Sequence, residues 1–506
     1  MGKEALISFA GYMVLMMTIG ALFTFKISNV SDYLLGGRKL GSFVTALSAQ
    51  ASDMSGWLLM GLPGAVFAAG MGEVWVAIGL AIGTLLNWLL IAPRLRIYTE
   101  KTDSLTLSTY FANRFRDPSG MLRVISALVV LGFFSIYAAS CLITAGKLFP
   151  VLFNINYRTA VLIGSVVILV YTLLGGYLAV CWTDLVQGLL MVVALVAVPT
   201  AAYYGLGSTE PIKNALEARE LSLSFFPAGT GYLVGTVSII SAAVWGLGYF
   251  GQPHILSRFM SISDIRQLPK ATATAMIWVV ISLSAACMVG ITAIGIYSGG
   301  LPKGEEELVF IKMIQVFFNP YVAGVLLSAV LAALMSTIDS QLLVSSSTLT
   351  EDFYHRVLRR EASAKELVWV SRGFVLLITA VAAGIALGPW EKNIFQVVKL
   401  AWGGFGAAFG PVVLMSLYFR KMNWKSALAG MVIGTAVMLV WRFAGLGKIM
   451  YEILPGFIAG VVTIIVWNIF DPQKDEVILD EYDEMKAQVS GKKADAKSEK
   501  ESSVQA

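Results

Sequence analysis

About thirteen apolar runs of roughly twenty residues or more recur along the chain, separated by short stretches rich in charge, glycine or proline. A helix needs about 20 predominantly apolar residues to cross a bilayer, so each run predicts one membrane span. The spans fall near 5–25, 42–70, 73–93, 122–149, 158–175, 183–205, 231–250, 271–298, 319–347, 367–388, 394–418, 424–445 and 450–469. The first is not expected to be a cleaved signal: its front carries only Lys3 and Glu4, and no small-residue cleavage site closes it. From residue 471 the apolar pattern stops, and the mixed-charge tail 471–506 predicts disorder.

Basic residues set an orientation. With the first loop placed in the cytoplasm, about 19 Lys/Arg fall in inner loops and about 10 in outer ones. The inner clusters are Lys26, Arg38 and Lys39; Arg94 through Arg123; Arg258, Arg266 and Lys270; Arg356, Arg359, Arg360 and Lys365; and Arg420, Lys421 and Lys425. The expectation is an outside N-terminus and a cytoplasmic C-terminus.

Composition strengthens the membrane reading. Of 506 residues, 57% are hydrophobic and only 14% charged, with a mean hydropathy of +0.75. An average soluble chain has roughly 25% charged residues, so a soluble enzyme, a disordered protein and a nucleic-acid binder are excluded. The formal charge of +5 is accounted for by basic inner loops. Cys141, Cys181 and Cys287 lie in apolar surroundings without CxxC spacing, as small buried hydrophobes would. His254 and His355 sit beside predicted loops and form no metal motif. Neither glycine pair, Gly36–Gly37 or Gly175–Gly176, matches a phosphate loop, and GxxxxGK[ST] is absent, so nothing points to ATP.

A few spans carry polar groups that lipid would reject, and these mark candidate function. The second span, SFVTALSAQASDMSGWLLMGLPGAVFAAG, places Asp53 in mid-membrane among Ser48, Ser52, Ser55 and Gly56. Such a segment suits a broken helix whose freed backbone faces a cavity; close helix contact through small residues is the other reading. In the ninth span Ser336 and Ser340 lie four apart, with Thr337 and Asp339 beside them. Hydroxyls and carbonyls favour a hard alkali cation, although serines also bond back to their own helix. Trp245 and Tyr249 are four apart and so share a helical face, with Gly246, Gly248 and Gly251 leaving room beside them, and predict an aromatic wall or an interfacial belt. Tyr137 is deep enough to line a cavity, and AWGGFGAAFGP (401–411) offers close packing or a hinge.

Six segments carry a resemblance: DYLLGGRKLGSFVTALSAQASDMSGWLLMGLPGAVF, YTLLGGYLAVCWTDLVQ, WGLGYFGQPHILSRFM, LSAVLAALMSTIDSQLLVSSS, KELVWVSR and AWGGFGAAFGPVVL. Spread from about residue 31 to 460, they resemble the sodium/solute symporter family, and within it the bacterial members that carry proline. The resemblance implies an all-α polytopic fold with a five-plus-five inverted-repeat core of the leucine-transporter type, about 42–418. It makes 1–470 one transmembrane domain, with 5–25, 424–445 and 450–469 as extra helices. It also implies sodium-coupled uptake of L-proline by alternating access across a bacterial inner membrane. Neither an enzyme activity nor a cofactor beyond Na+ as coupling ion is implied, and lipid is the only further partner. Transferred residue by residue, the sodium ligands would be Ala51, Met54, Ala333, Ser336 and Thr337, with Asp53 in support. Ser55, Gly56, Trp57, Tyr137, Trp245, Tyr249 and Pro253 would serve substrate binding or gating. Arg38 would serve coupling, and Asp184, Asp339 and Ser340 a second cation site. Pantothenate, another amino acid or a sugar is the alternative cargo, and a transporter-like sensor the reading from another class.

Overall fold

The computed structural model describes residues 3–24, 30–174, 176–222, 224–226, 231–389 and 391–490. Lys26, Gly175 and the tail beyond 490 therefore lie outside the described residues. Every regular element among those described is a helix. Among the described residues ten helical segments are long and apolar enough to cross a membrane: Met71–Lys101, Met121–Phe153, Tyr177–Leu206, Tyr232–Gly251, Ile265–Ile296, Pro320–Arg356, Lys365–Leu387, Ile394–Tyr418, Trp424–Phe443 and Ile453–Phe470. Three shorter apolar helices, Leu6–Leu22, Trp57–Ala69 and Tyr157–Leu173, stand at the three remaining expected spans.

Burial separates these spans into layers. The ninth and eleventh are each 83% buried across their apolar windows, so protein surrounds them on nearly every side. Side chains such as Ile82, Leu89, Val166, Val193, Ile277 and Val462 are exposed and form the lipid-facing coat. Lipid offers backbone groups no hydrogen bonds, which is why the chain spans it only as helices.

Two spans are interrupted. The second runs as a helix over Ser42–Asp53, turns at Met54 (φ −86°, ψ 81°), and resumes through a π-helical turn at Trp57–Gly61 into Leu62–Ala69. The seventh is longer than its apolar run. Helix Tyr232–Ala243 tightens into a 3-10 helix over Val244–Gly251, Gln252 is extended, and Pro253–Ser261 forms a second helix. The expected continuous span at 231–250 is thus a broken span reaching 261. Pro253 explains the position of the break: it cannot donate to the preceding turn, pushes Gln252 out of the α region, and starts a helix well. The 3-10 stretch packs against the third span at Gly79 and Gly83, where a Cβ on Gly79 would lie 2.1 Å from the Ala243 carbonyl oxygen.

The charged tail also differs from its expected disorder. Glu476–Val489 is a helix whose Ile478, Tyr482 and Met485 are buried on one face. Their spacing of four and three is the amphipathic helix period, which overall charge conceals. Its acidic face pairs with Arg116 through Glu481 at 2.9 Å, with Arg420 through Asp483 at 2.7 Å, and with Lys101 through Glu484.

Candidate functional site

The second-span break frees backbone oxygen. In a continuous α-helix the Ser55 amide would bond to the Ala51 carbonyl; here it donates to Asp53 O at 3.0 Å. The Leu58 amide, which would have reached Met54, donates to Ser55 O instead. The released Ala51 carbonyl accepts the Ser336 hydroxyl at 2.7 Å, and Ser336 Oγ also lies 3.1 Å from Ala333 O. Thr337 Oγ1, one residue on, is buried without a hydrogen-bond partner. Three of the five expected cation ligands, Ala51, Ala333 and Ser336, are therefore drawn together by the contact of the second and ninth spans, and Thr337 follows Ser336 in the chain. Met54 stands at the break itself.

Asp53 ends the first half of that span and is fully buried. Its Oδ2 accepts the Tyr249 hydroxyl at 2.6 Å, while Oδ1 has no partner. Its main-chain carbonyl accepts from Tyr137 OH at 3.0 Å and Trp57 Nε1 at 3.2 Å. Asp53 thus ties the two broken spans to the fourth. Gly56 lies so close to the fourth span that a Cβ would fall 2.3 Å from Thr144 Oγ1.

Trp245 and Tyr249 do not form one wall. They lie on a 3-10 helix, where residues four apart point about a third of a turn apart. Tyr249 reaches Asp53 and meets Trp402 edge-on at 5.0 Å. Trp245 stacks on Phe395 with centroids 4.8 Å apart and meets Tyr451 at 5.2 Å. It also forms part of the lining of a cavity of about 670 Å³ that is bordered by Ala69, Glu73, Ser238 and Lys399. Pro253 opens the second half-helix, and the neighbouring His254 is fully buried, with its ring 5.5 Å from Phe134 and 6.2 Å from Tyr137.

The opposite end is closed. Arg38 donates to Met260 O at 2.7 Å, Ser104 O at 2.8 Å and Thr99 O at 2.9 Å. Beside it Leu40 and Ile262 form a backbone bridge, with Leu40 N bonded to Ser261 O and Ser263 N to Leu40 O. These ends of the second, third and seventh spans are stitched together there, and the cavity lies at the other end.

The remaining expected cation residues do not form one group. Asp184 Oδ2 accepts from Ser48 Oγ at 2.7 Å and from the Arg258 guanidinium at 3.1 Å, with both ionic side chains fully buried. Ser340 Oγ lies 2.5 Å from Arg258 NH2. Asp339 instead accepts from Thr172 at 2.5 Å. Arg258 was missed because an arginine between predicted spans reads as an inner-loop charge; its only signal was its place five residues after Pro253. The three cysteines are free and buried, and no His/Cys/Asp/Glu cluster among the described residues suits a metal.

Two helices broken at one buried carboxylate, each opening a series of five spans, define a secondary transporter with the inverted-repeat fold of the leucine-transporter type. The structure of a Na+-coupled sialic acid symporter, in a substrate-bound outward-open state, superposes with a TM-score of 0.78 at 18% identity, covering 94% of this chain and 99% of that one. A model of the sodium:solute symporter family matches residues 33–434, and the chain belongs to that family. It is 46% identical over 471 residues to the sodium/proline symporter of Escherichia coli (strain K12), 92% of each chain. It is 44% identical over 473 residues to the high-affinity proline transporter PutP of Bacillus subtilis (strain 168), covering 93% of this chain and 98% of that one.

Proposed function

We propose that this multi-pass membrane protein couples the inward flow of sodium to uptake of L-proline across a bacterial plasma membrane, with its C-terminus in the cytoplasm. One observation carries the coupling: the Ala51 carbonyl, released by the helix break, accepts the Ser336 hydroxyl of another span, one residue before the unpartnered Thr337 hydroxyl. Proline as the cargo is supported by the relatives, which are named for it across nine-tenths of the chain.

Sodium would take up the Ala51, Met54 and Ala333 carbonyls with both hydroxyls. Ser336 now donates its proton to Ala51 O, so binding requires only that this hydroxyl turn and present a lone pair. The ion then does the joining that the Ser336 hydrogen bond does now, and more strongly, because it carries charge. Joining the second and ninth spans would hold the outward-open arrangement. Proline's carboxylate would lie at the start of the second half-helix, near Ser55, Gly56 and Trp57, where amides and the helix dipole favour an anion. Its ring would rest against Tyr137 and Tyr249, with Trp245 bordering the cavity that leads to them and Pro253 ending the turn that carries Trp245 and Tyr249. Release inward requires the Arg38 stitching and the Leu40–Ile262 bridge to open. Each charge crossing contributes about 2.3 kcal/mol per 100 mV, so uptake is electrogenic.

The test is uptake of labelled proline into proteoliposomes under inward sodium, potassium or proton gradients. Sodium-dependent accumulation that collapses with a sodium ionophore is expected. Sodium-dependent uptake of pantothenate, another amino acid or a sugar, without proline uptake, would discard the cargo and keep the mechanism.

A further inference from the structure

The helix Glu476–Val489 lies against the stitched end of the spans and is held there in two ways. Its apolar face, Ile478, Tyr482 and Met485, is buried. Tyr482 covers Arg114, a fully buried residue whose guanidinium lies 5.5 Å from the Tyr482 ring and 5.1 Å from that of Tyr98. The acidic face makes the ion pairs Glu481–Arg116, Asp483–Arg420 and Glu484–Lys101. These six side chains are between 19% and 55% exposed, so salt in the surrounding water screens every pair.

The three basic partners belong to different elements. Lys101 ends the helix Ala92–Lys101, Arg116 caps Leu107–Phe115, and Arg420 follows Gly410–Tyr418 at the end of the eleventh span. The first of these helices carries the stitching. Its Thr99 accepts from Arg38, and its Arg96 donates to Ile262 O at 2.6 Å and Ser263 O at 3.4 Å. Opening this end therefore requires the Ala92–Lys101 helix to part from Arg38 or from segment 260–263. Glu484 ties Lys101, two residues from Thr99, to a strap that is anchored elsewhere. Asn423 Nδ2 donates to Asp471 O at 2.5 Å and Gln473 N to Lys421 O at 2.9 Å, fixing the start of that strap to the loop after the eleventh span.

We infer that Glu476–Val489 is an electrostatic latch on the gate at this end, released by ionic strength. The inference rests on the proposed transport cycle, in which this end opens to the cytoplasm. Docked, the acidic face restrains the third span and slows opening. The Debye length falls from about 10 Å at 0.1 M salt to about 3 Å at 1 M, so rising salt weakens all three pairs together and frees Lys101. Transport is thereby tied to the salt content of the compartment that receives the substrate.

Labelled proline uptake into proteoliposomes under a fixed inward sodium gradient tests it. Choline chloride is varied on one side at a time with sucrose balancing osmolarity, and a C-terminal epitope tag reports which side holds the helix. Wild-type kcat should rise about three- to fivefold as salt on the helix side goes from about 0.05 M to about 0.5 M, with no response to salt on the other side. Glu481→Gln, Asp483→Asn and Glu484→Gln together should give the high rate at low salt and abolish the response. Proline binding in detergent should keep its wild-type affinity within about twofold, which also reports intact protein. Arg420→Glu should weaken the latch in part, and Arg420→Glu with Asp483→Arg should restore it. A wild-type rate indifferent to salt on the helix side overturns the latch, as does a neutralised variant that keeps the salt response. A neutralised variant that binds proline but loses kcat also overturns it, because the helix would then be a brace that transport needs. Wild-type protein that accumulates no proline at any salt concentration overturns the functional reading, and the latch with it.

Discussion

One turn of the ninth span separates two polar clusters that solve the same problem differently. At Ser336 and Thr337 the oxygens are neutral, one hydroxyl is unpartnered, and the hydrogen bond to Ala51 is easily exchanged for an ion. At Ser340, about 6 Å beyond Ser336 along the helix, the chain supplies its own cation, Arg258, against Asp184. A covalently attached charge cannot leave, so the second cluster is suited to holding spans together and the first to binding and release. The expected second cation site at Asp184 and Ser340 is correspondingly narrowed: one Asp184 oxygen and the Ser340 hydroxyl are already committed to the guanidinium. Asp339, bonded to Thr172, belongs to neither cluster.

The comparison breaks most visibly at Arg258. Arg258→Met leaves Asp184 buried and unpaired, and losing one partner of such a pair costs about 3–5 kcal/mol. Thermal unfolding in detergent should show a large drop in midpoint. Asp184→Asn combined with Arg258→Met removes both charges and should regain most of it. A double variant as unstable as Arg258→Met alone would mean that the guanidinium acts through Ser48, Ser340 and the His254 carbonyl rather than through Asp184.

At the other cluster the expected loss is in sodium affinity. Removing one oxygen ligand from a charged partner is worth about 1.5–3 kcal/mol, so Ser336→Ala and Thr337→Ala should raise the sodium half-saturation about 10- to 100-fold. Proline KM measured at saturating sodium should move little. Normal sodium dependence in Thr337→Ala would remove that hydroxyl from the site.

How much of this contrast could be read beforehand follows from what each feature depends on. Span number and the second-span break were legible, because lipid demands long apolar runs and Asp53 among small residues stands out within one. The hydroxyls of Ser336 and Thr337 stood out for the same reason. The second break did not, since GLGYFGQP reads as the end of an apolar run and its 3-10 winding needs tertiary contact with Gly79 and Gly83. That winding is also why Trp245 and Tyr249, four apart, diverge. Arg258 was hidden by its own charge, which placed it in a loop, and the helix at 476–489 by an acidic face that obscured Ile478, Tyr482 and Met485.

Tyr249 probes whether Asp53 belongs with the exchangeable cluster. Tyr249→Phe keeps the ring beside Trp402 and deletes only the hydrogen bond to Asp53 Oδ2. A hydrogen bond to a charged group is worth about 1.5–3 kcal/mol, and part of that should be recovered by a water molecule once the pocket opens. The expected result is a rise of roughly tenfold in proline KM, with a smaller change in sodium half-saturation. A larger sodium effect than proline effect would mean that the carboxylate acts chiefly on the ion.

The smallest expected effect is also the most discriminating. Ser340→Ala removes one acceptor from Arg258, which keeps Asp184, Ser48 and the His254 carbonyl. Stability should fall by about 1 kcal/mol, the worth of one hydrogen bond among several. Because Ser340 is turned to a fixed charge, sodium half-saturation should change by less than about twofold, far below the Ser336 effect. The Hill slope for sodium should stay at its wild-type value. Ser336 and Ser340 share a helix face and a residue type, so composition and spacing alone predict equal effects. A sodium shift in Ser340→Ala as large as that in Ser336→Ala would show the two clusters to be one site, with Arg258 displaced whenever the ion binds.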